Sequence, residues 1–195
     1  FVTAVAGTSV GGLNAALFVQ DDPDKAFETA YHIWTNEIGT IKPSRITMAL
    51  KKIIEENIDF TSFSQIKTDC FLSVFHRGQS GEYYETDISG QFIEKYVNNE
   101  MTYYNLRNIS PKECHILFES CSTPKAIMLA TSALPMLCRR VFIDKQASVD
   151  GGVPWGGDNS PVYPLSQPSS VCDIIITVHL SHIKNCIDKS QYSNV

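Results

Sequence analysis

The start of the chain joins a short apolar run to a glycine-rich turn and then to a helix-prone segment. Residues 1–6 predict a buried strand, and residues 13–18 favour a helix. Between them, Gly7-Thr8-Ser9-Val10-Gly11 fits the pattern G-x-S-x-G. In such an elbow the glycines flank the serine because the tight turn leaves no room for side chains. We therefore expect a strand, a sharp turn and a helix, with the Ser9 hydroxyl at the carboxyl end of the strand.

Strand and helix patterns alternate along the remaining chain. Helices are predicted over residues 25–38, 43–57, 88–98 and 126–133, strands over 70–75, 140–149 and 171–180, and a turn at Ser80-Gly81. This alternation, with nearly continuous apolar strands near both ends, is typical of an α/β sandwich around a largely parallel sheet. The 195 residues suit one domain, so we expect a single unit over residues 1–195.

Two of the predicted helices have an apolar side that should face the core. Phe27, Tyr31 and Trp34 recur at helical spacing after the helix-start pattern Asp22-Pro23-Asp24. Their spacing predicts core packing. In the next helix Ile46, Leu50, Ile53 and Ile54 share one side, which predicts a surface helix packed on the core.

The composition excludes several classes of function. Sixteen basic and twenty-one acidic residues give a formal charge of -5 without a basic cluster, which argues against a nucleic-acid partner. The histidines and six cysteines show neither a C-x-x-C pair nor an H-x-x-x-H spacing, so no metal or other cofactor is expected and the thiols should be reduced and mostly buried. No apolar run approaches the length of about 20 residues that spans a bilayer, so any membrane contact should be peripheral.

Two later motifs occur in a fixed order after the elbow. Ser132-Ala133-Leu134-Pro135 ends the last predicted helix, and a predicted strand then ends in Asp150-Gly151-Gly152. Together with the elbow, this order resembles the patatin-like phospholipase family, whose members have a G-x-S-x-G elbow, an S-A-x-P segment and a D-G-G or D-G-A turn. The resemblance spans residues 1 to about 165.

The resemblance implies a lipid acyl hydrolase with a patatin-like α/β/α sandwich. Ser9 matches the family's nucleophile and Asp150 its base, while Gly151 and Gly152 match the glycines that let the turn approach the serine. At the start of the elbow helix, the Val10 N–H is suited to bind the developing oxyanion. The implied substrate is a phospholipid or other glycerolipid at a membrane surface, with phospholipase A or lysophospholipase chemistry and a cytoplasmic or peripheral membrane location.

The sequence departs from the family pattern at two places. The family's glycine-rich oxyanion loop precedes the elbow strand and is absent from this sequence, which begins without Met inside the apolar run. We therefore expect an upstream segment, and whether it contains such a loop is left open. That segment could also carry a targeting signal, which leaves secretion open. The stretch after Gly152 is also longer than in the family, with residues 153–158, including Trp155, before the Asn159-Ser160-Pro161 segment.

Two other functions fit parts of the sequence. An α/β-hydrolase triad has the order serine, acid, histidine, and His179 and His182 follow Asp150 in that order. A non-catalytic lipid-binding or regulatory module could also keep the fold without the oxyanion loop. The D-G-G context favours the Ser-Asp dyad, and His32, His76 and His115 are expected to be structural.

Overall fold

The computed structural model describes residues 1–38, 41–42, 45–78, 84–86, 92–94, 99–110, 122–144, 146–154, 156–167 and 172–178. The strands are β1 (Ala4–Gly7), β2 (Asp69–Arg77), β3 (Tyr84–Thr86), β4 (Phe92–Glu94), β5 (Glu100–Asn105), β6 (Val141–Ile143) and β7 (Gln146–Asp150). The helices are α1 (Val10–Gln20), α2 (Pro23–His32), which continues into a π-helical turn at Ile33–Glu37, α3 (Ile46–Asn57) and α4 (Pro124–Thr131). Short 3₁₀ turns lie at Leu106–Asn108 and Tyr163–Leu165.

The main sheet is centred on β2, the longest strand. The order of its main path is β1-β2-β7-β6, and β5 also pairs with β2. The pairing of β1 with β2 is parallel, whereas β2 pairs antiparallel with β5 and β7, and β6 with β7. Strands β3 and β4 form a separate antiparallel pair. The α/β class is confirmed, but the sheet is mixed among the described strands rather than largely parallel.

The main core lies on the face of the sheet that carries the even-numbered residues of β2. Cys70, Leu72 and Val74 pack there with Leu13 and Leu17 of α1. Residues from α3 and α4 complete this cluster, among them Ile53, Ile54, Ile127 and Met128. Phe75 faces the other side and packs with Val149 and Val153. Successive side chains of β2 point to opposite faces of the sheet, because a strand has a period of two residues. The second face is covered by the chain that follows β7.

Local sequence explains where the helices begin. The Asp22 side chain accepts a hydrogen bond from Lys25 N at 3.1 Å, with Pro23 at the first position of α2. Thr123 caps α4 in the same way, accepting from Ala126 N at 3.2 Å ahead of Pro124. The predicted helices at α1, α2, α3 and α4 are therefore confirmed, with shifts of a few residues at their ends.

Three predicted elements are wrong. Residues 92–94 form a strand where a helix over 88–98 is predicted, and residues 140–149 form a β6–β7 hairpin rather than one extended segment. Residues 172–178 have no regular secondary structure, and Ile174, Ile176 and Val178 are each more than four-fifths exposed. A nearly continuous apolar run gives a strand only where a neighbouring strand and a core face are available, and these side chains face solvent instead. The turn predicted at Ser80-Gly81 lies outside the described residues.

The aromatic side of α2 also differs from its prediction. Phe27 and Tyr31 are 69% and 62% exposed and stack on each other with ring centroids 6.2 Å apart, whereas Trp34 packs against the core. Only Ala26 is buried within α2, which packs against α1. None of the described helices has the length and apolar character needed to cross a membrane.

Candidate active site

The register of the sheet brings Ser9 and Asp150 together along one edge of β2. β5 pairs with residues 71–76 on the other edge, so β1 and β7 share this edge, one after the other. β1 runs parallel to β2 and ends at Gly7, beside Leu72, whereas β7 runs antiparallel and ends at Asp150, beside Val74. The turn after β1 therefore meets the end of β7 head to head. Two residues that are 141 positions apart in sequence become neighbours in this way.

The elbow holds Ser9 in an unusual backbone conformation. Ser9 has φ 55° and ψ -121°, a region that residues with a side chain rarely adopt and that costs on the order of 1–3 kcal/mol. The turn is closed by hydrogen bonds from Gly11 N to Thr8 O at 2.8 Å and from Gly12 N to Ser9 O at 3.0 Å. Val10 is the first residue of α1, so its N–H has no acceptor within the helix.

Only one glycine of the G-x-S-x-G pattern is required by its surroundings. A Cβ at Gly7 would overlap the backbone of Gly11 and Gly12, so the close approach of strand and helix demands glycine there. A Cβ at Gly11 would meet nothing within 4 Å, which corrects the expectation that both flanking glycines are crowded. The next residue, Gly12, has less space around it than Gly11, because a Cβ there would lie 3.1 Å from the side chains of Leu72 and Thr131.

Asp150 is almost completely buried, with 2% of its surface exposed. Its Oδ1 accepts a hydrogen bond from Gly152 N at 2.8 Å, and Oδ2 is buried without a hydrogen-bond partner in the described part of the chain. Burial raises the pKa of Asp150, and this rise is offset in part by the Ser9 hydroxyl and the Gly152 N–H, both of which lower the pKa. The carboxyl group therefore has one oxygen fixed and one available beside the serine.

The end of α4 binds both candidate residues. Thr131 Oγ1 accepts a hydrogen bond from Ser9 N at 3.0 Å, and the carbonyl of Ala133 accepts one from Asp150 N at 3.0 Å. Thr131 and Ala133 are both buried, and they belong to the segment that leads through Ser132 to Pro135. One short piece of backbone thus sets the position of the serine relative to the carboxylate.

The turn after Asp150 is packed against β2 and the elbow. A Cβ at Gly151 would overlap the Ser73 backbone, and one at Gly152 would overlap the end of the Asn159 side chain. Asp158 N donates to Gly151 O at 2.7 Å, and its carbonyl accepts from Thr8 Oγ1 at 2.7 Å. The Asp158 carboxylate accepts from Tyr103 OH at 2.7 Å and from Ser160 N at 2.9 Å. The longer stretch after Gly152 is therefore a folded turn that links base and elbow; Trp155 lies outside the described residues.

Sequence reasoning found Ser9, Asp150 and their glycines but missed Thr8, Thr131 and Asp158. Thr8 occupies a variable position of the elbow pattern, and its hydroxyl also contacts the Ser73 hydroxyl. Thr131 directly precedes the S-A-L-P motif, and this adjacency is the only sequence signal for it. Asp158 carried no signal, because its role comes from contacts with residues distant in sequence.

The described histidines are not placed to act on Ser9. His76 Nδ1 is 2.9 Å from Ser148 Oγ and its Nε2 is 2.8 Å from Tyr104 OH, so both ring nitrogens are occupied. Burial lowers the pKa of His76, so the ring is neutral at pH 7. His32 lies on the exposed side of α2. His115, His179 and His182 fall outside the described residues.

Metal ligands and disulfides are also absent from the described part of the chain. No group of three or more His, Cys, Asp or Glu side chains there could hold a metal ion. Cys70, Cys138 and Cys172 are free thiols, of which Cys70 is buried and the other two are half-buried. Burial raises the pKa of Cys70 to about 12, so this thiol is unreactive.

Comparison with known families shows which protein family has this arrangement of motifs. A model of the patatin-like phospholipase family matches residues 1–165, which include the elbow, the S-A-L-P segment and the Asp150 turn. The chain belongs to the patatin-like phospholipase family. A search of curated proteins found no match.

Membership in the patatin-like family gives the chain its fold and its general activity. The fold is the patatin α/β sandwich, and the activity in general is lipolytic hydrolysis with lipids as substrates. The match ends at residue 165, at the close of the last 3₁₀ turn. Every residue that the register places around Ser9 and Asp150 lies within it.

Proposed function

We propose that this chain is a lipid acyl hydrolase of the phospholipase A or lysophospholipase type, in which Ser9 is the nucleophile and Asp150 is its base. The observation that carries the proposal is that the turn holding Ser9 meets the end of β7 at Asp150 along one edge of β2, with the Asp150 carboxyl buried and one oxygen without a partner among the described residues. The bond to Thr131 and the strained elbow hold the serine in this place.

The reaction has two steps. Asp150 takes the proton of the Ser9 hydroxyl as Ser9 Oγ attacks the ester carbonyl carbon, and the alkoxide of the lysolipid leaves with that proton. Water then gives a proton to Asp150 and attacks the acyl-serine, which releases the fatty acid and returns the proton to Ser9. The Val10 N–H stabilises the oxyanion in both steps.

Burial gives Asp150 the base strength that an exposed carboxylate lacks. An ordinary aspartate has a pKa of about 4 and accepts a proton poorly at neutral pH. Because burial raises the pKa of Asp150, its ionised form is a stronger base than it would be in water. The Gly152 N–H fixes Oδ1 and leaves Oδ2 to receive the serine proton.

Labelling with a fluorophosphonate probe tests the nucleophile, and hydrolysis of phospholipid and short-chain esters tests the dyad. We expect the probe to label the protein on Ser9, and Ser9→Ala and Asp150→Asn each to reduce ester turnover by about a thousandfold or more. Ser64→Ala and Asp173→Asn, at exposed positions, are the matched controls and should keep full activity.

Histidine variants separate the dyad from a triad. His179→Ala combined with His182→Ala should leave turnover intact, since the proposed proton transfer uses Asp150 alone. Loss of activity in that double variant would replace the dyad with an α/β-hydrolase triad. A folded protein that binds lipid but never reacts with the probe would be a non-catalytic lipid-binding module.

A further inference from the structure

The segment that follows Ala133 exposes apolar and basic side chains next to the candidate site. Leu134 and Leu137 are 40% and 51% exposed, and Met136 is fully exposed. Arg139 and Arg140 come directly after them and are exposed as well. We call these five side chains the 134–140 surface.

The exposure of these side chains is built into a folded turn. Leu137 N and Cys138 N both donate to Leu134 O, at 3.2 and 2.8 Å, and Arg139 N donates to Thr47 Oγ1 at 3.2 Å. Met136 has φ 70°, a conformation that is costly for a residue with a side chain. The turn is therefore pinned at both ends, and it holds Met136 outward at a cost in free energy.

The surface adjoins the site through one residue. Ala133, which accepts the hydrogen bond from Asp150 N, immediately precedes Leu134. The same segment lines an apolar groove together with Leu50 and Leu129, and Lys51 also lies along that groove. A molecule bound against this surface would meet the protein at the end of α4 that positions Ser9 and Asp150.

The charge of the surface is opposite to that of the protein as a whole. The chain has a formal charge of -5, yet Arg139 and Arg140 form no ion pair with a described residue. Asp144, the nearest acidic residue in sequence, accepts a hydrogen bond from Ser122. Glu55, on the same helix as the groove residue Lys51, pairs with Lys125 and Lys51. Arg139 and Arg140 can therefore bind an anionic group on a partner, while the exposed apolar side chains beside them can bind hydrocarbon. A lipid bilayer offers both, in its head groups and in its acyl chains.

We propose that the 134–140 surface docks the protein on an anionic lipid bilayer. Leu134, Met136 and Leu137 enter the boundary between head groups and acyl chains, and Arg139 and Arg140 bind lipid phosphates. This inference rests on the proposed function for its lipid substrate, and it explains how the active site reaches lipids that stay in the bilayer.

Vesicle binding by the intact chain carrying Ser9→Ala tests the docking without any turnover. We expect sedimentation with vesicles of phosphatidylcholine and phosphatidylglycerol, and weaker sedimentation with phosphatidylcholine alone or at raised salt. Arg139→Gln with Arg140→Gln should weaken binding by about tenfold or more, and Arg139→Lys with Arg140→Lys should restore most of it. Met136→Ser with Leu137→Ser should also weaken it by about tenfold.

Two matched variants control for charge and apolar exposure elsewhere. Lys25→Gln with Lys52→Gln removes two exposed positive charges, and Phe27→Ser with Tyr31→Ser removes two exposed aromatic rings; both should bind vesicles like the parent. Equal losses in these controls, or unchanged binding in the arginine variant, would overturn the proposal. Concentration-dependent dimerisation lost in the Met136/Leu137 variant, with vesicle binding intact, would assign the surface to a second copy instead.

The two proposals fail in different assays. Absence of fluorophosphonate labelling in the unmutated chain counts against the hydrolase and leaves the vesicle result standing. Absence of vesicle binding in a chain that labels and hydrolyses soluble esters counts against the docking surface alone.

Discussion

Two glycine-rich turns lie beside β2, and they hold the candidate residues Ser9 and Asp150 in different ways. The elbow at Gly7–Gly12 places Ser9 through a strained backbone, φ 55°, and through one side-chain hydrogen bond from its N–H to Thr131. The turn at Asp150–Asp158 places the carboxylate through close packing on Ser73 and through a set of hydrogen bonds that centre on Asp158.

The elbow fixes the position of one residue, whereas the second turn encloses its residue by packing. The elbow leaves the Ser9 side chain half-exposed and fixes its backbone, as the proposed nucleophile requires for access to a substrate. The second turn buries Asp150 and fixes the chain around it, and burial is what would strengthen a carboxylate as the proposed base. The position of Ser9 should therefore be sensitive to the loss of a single hydrogen bond, and the turn after Asp150 should be sensitive to substitutions that change its packing.

Glycine substitutions should give the largest effects and test where packing is tight. Gly7→Ala and Gly151→Ala each force a Cβ into backbone atoms, and each should lower the free energy of unfolding by about 3 kcal/mol or more. Gly11→Ala meets open space in the first turn of α1 and should be neutral or slightly stabilising. Denaturant titration of the three variants measures the contrast, and a loss for Gly11→Ala as large as for Gly7→Ala would refute it.

Removal of the Thr131 hydroxyl should have an intermediate effect, on activity. Thr131→Val keeps the shape of the side chain but leaves Ser9 N without its acceptor, so we expect kcat to fall about tenfold while KM stays unchanged. Thr131→Ser keeps the acceptor and should recover most of the rate. Steady-state kinetics on a soluble ester measures both, and a Ser variant as slow as the Val variant would show that packing, not the hydrogen bond, positions Ser9.

The smallest effect concerns the stability cost of the buried carboxylate. Because the pKa of Asp150 is raised in the folded state, the folded state binds its proton more tightly than the unfolded state does. The contribution of Asp150 to the free energy of unfolding should therefore be greatest below the unfolded pKa of about 4 and decline as the pH rises through the folded pKa. Asp150→Asn removes this cost and should raise the Tm at pH 7 by about 2 °C or more, with a smaller difference at pH 4.

Thermal melts of Asp150→Asn and the parent across this pH range check the prediction. Asp173→Asn, at an exposed position, should show no such pH-dependent gain. A lower Tm for Asp150→Asn at pH 7 would mean that the ionised carboxylate stabilises the fold.

The predicted helices and strands were confirmed where a local sequence signal and contact with the core favour the same element. The helix starts at Asp22 and Thr123 are set by side chains a few residues away from the groups that they cap, so the sequence predicts them well. The strand predicted over residues 171–180 rested on a nearly continuous apolar run alone, and residues 172–178 have neither a partner strand among the described residues nor a core to cover them. Spacing alone likewise predicted core packing for Phe27 and Tyr31, yet both are exposed on α2, where only Ala26 is buried.

The sequence by itself determined the family of this patatin-like protein and the candidate residues Ser9 and Asp150, because an elbow and a D-G-G turn are local patterns whose glycines and order can be read directly. Only the tertiary structure decided that Ser9 and Asp150 meet, since their proximity depends on the parallel pairing of β1 and the antiparallel pairing of β7 with the same strand. The contacts of Thr131, Asp158 and the 134–140 surface likewise arise between segments far apart in sequence. Local patterns do not record such contacts, because they form only when the sheet and α4 are assembled.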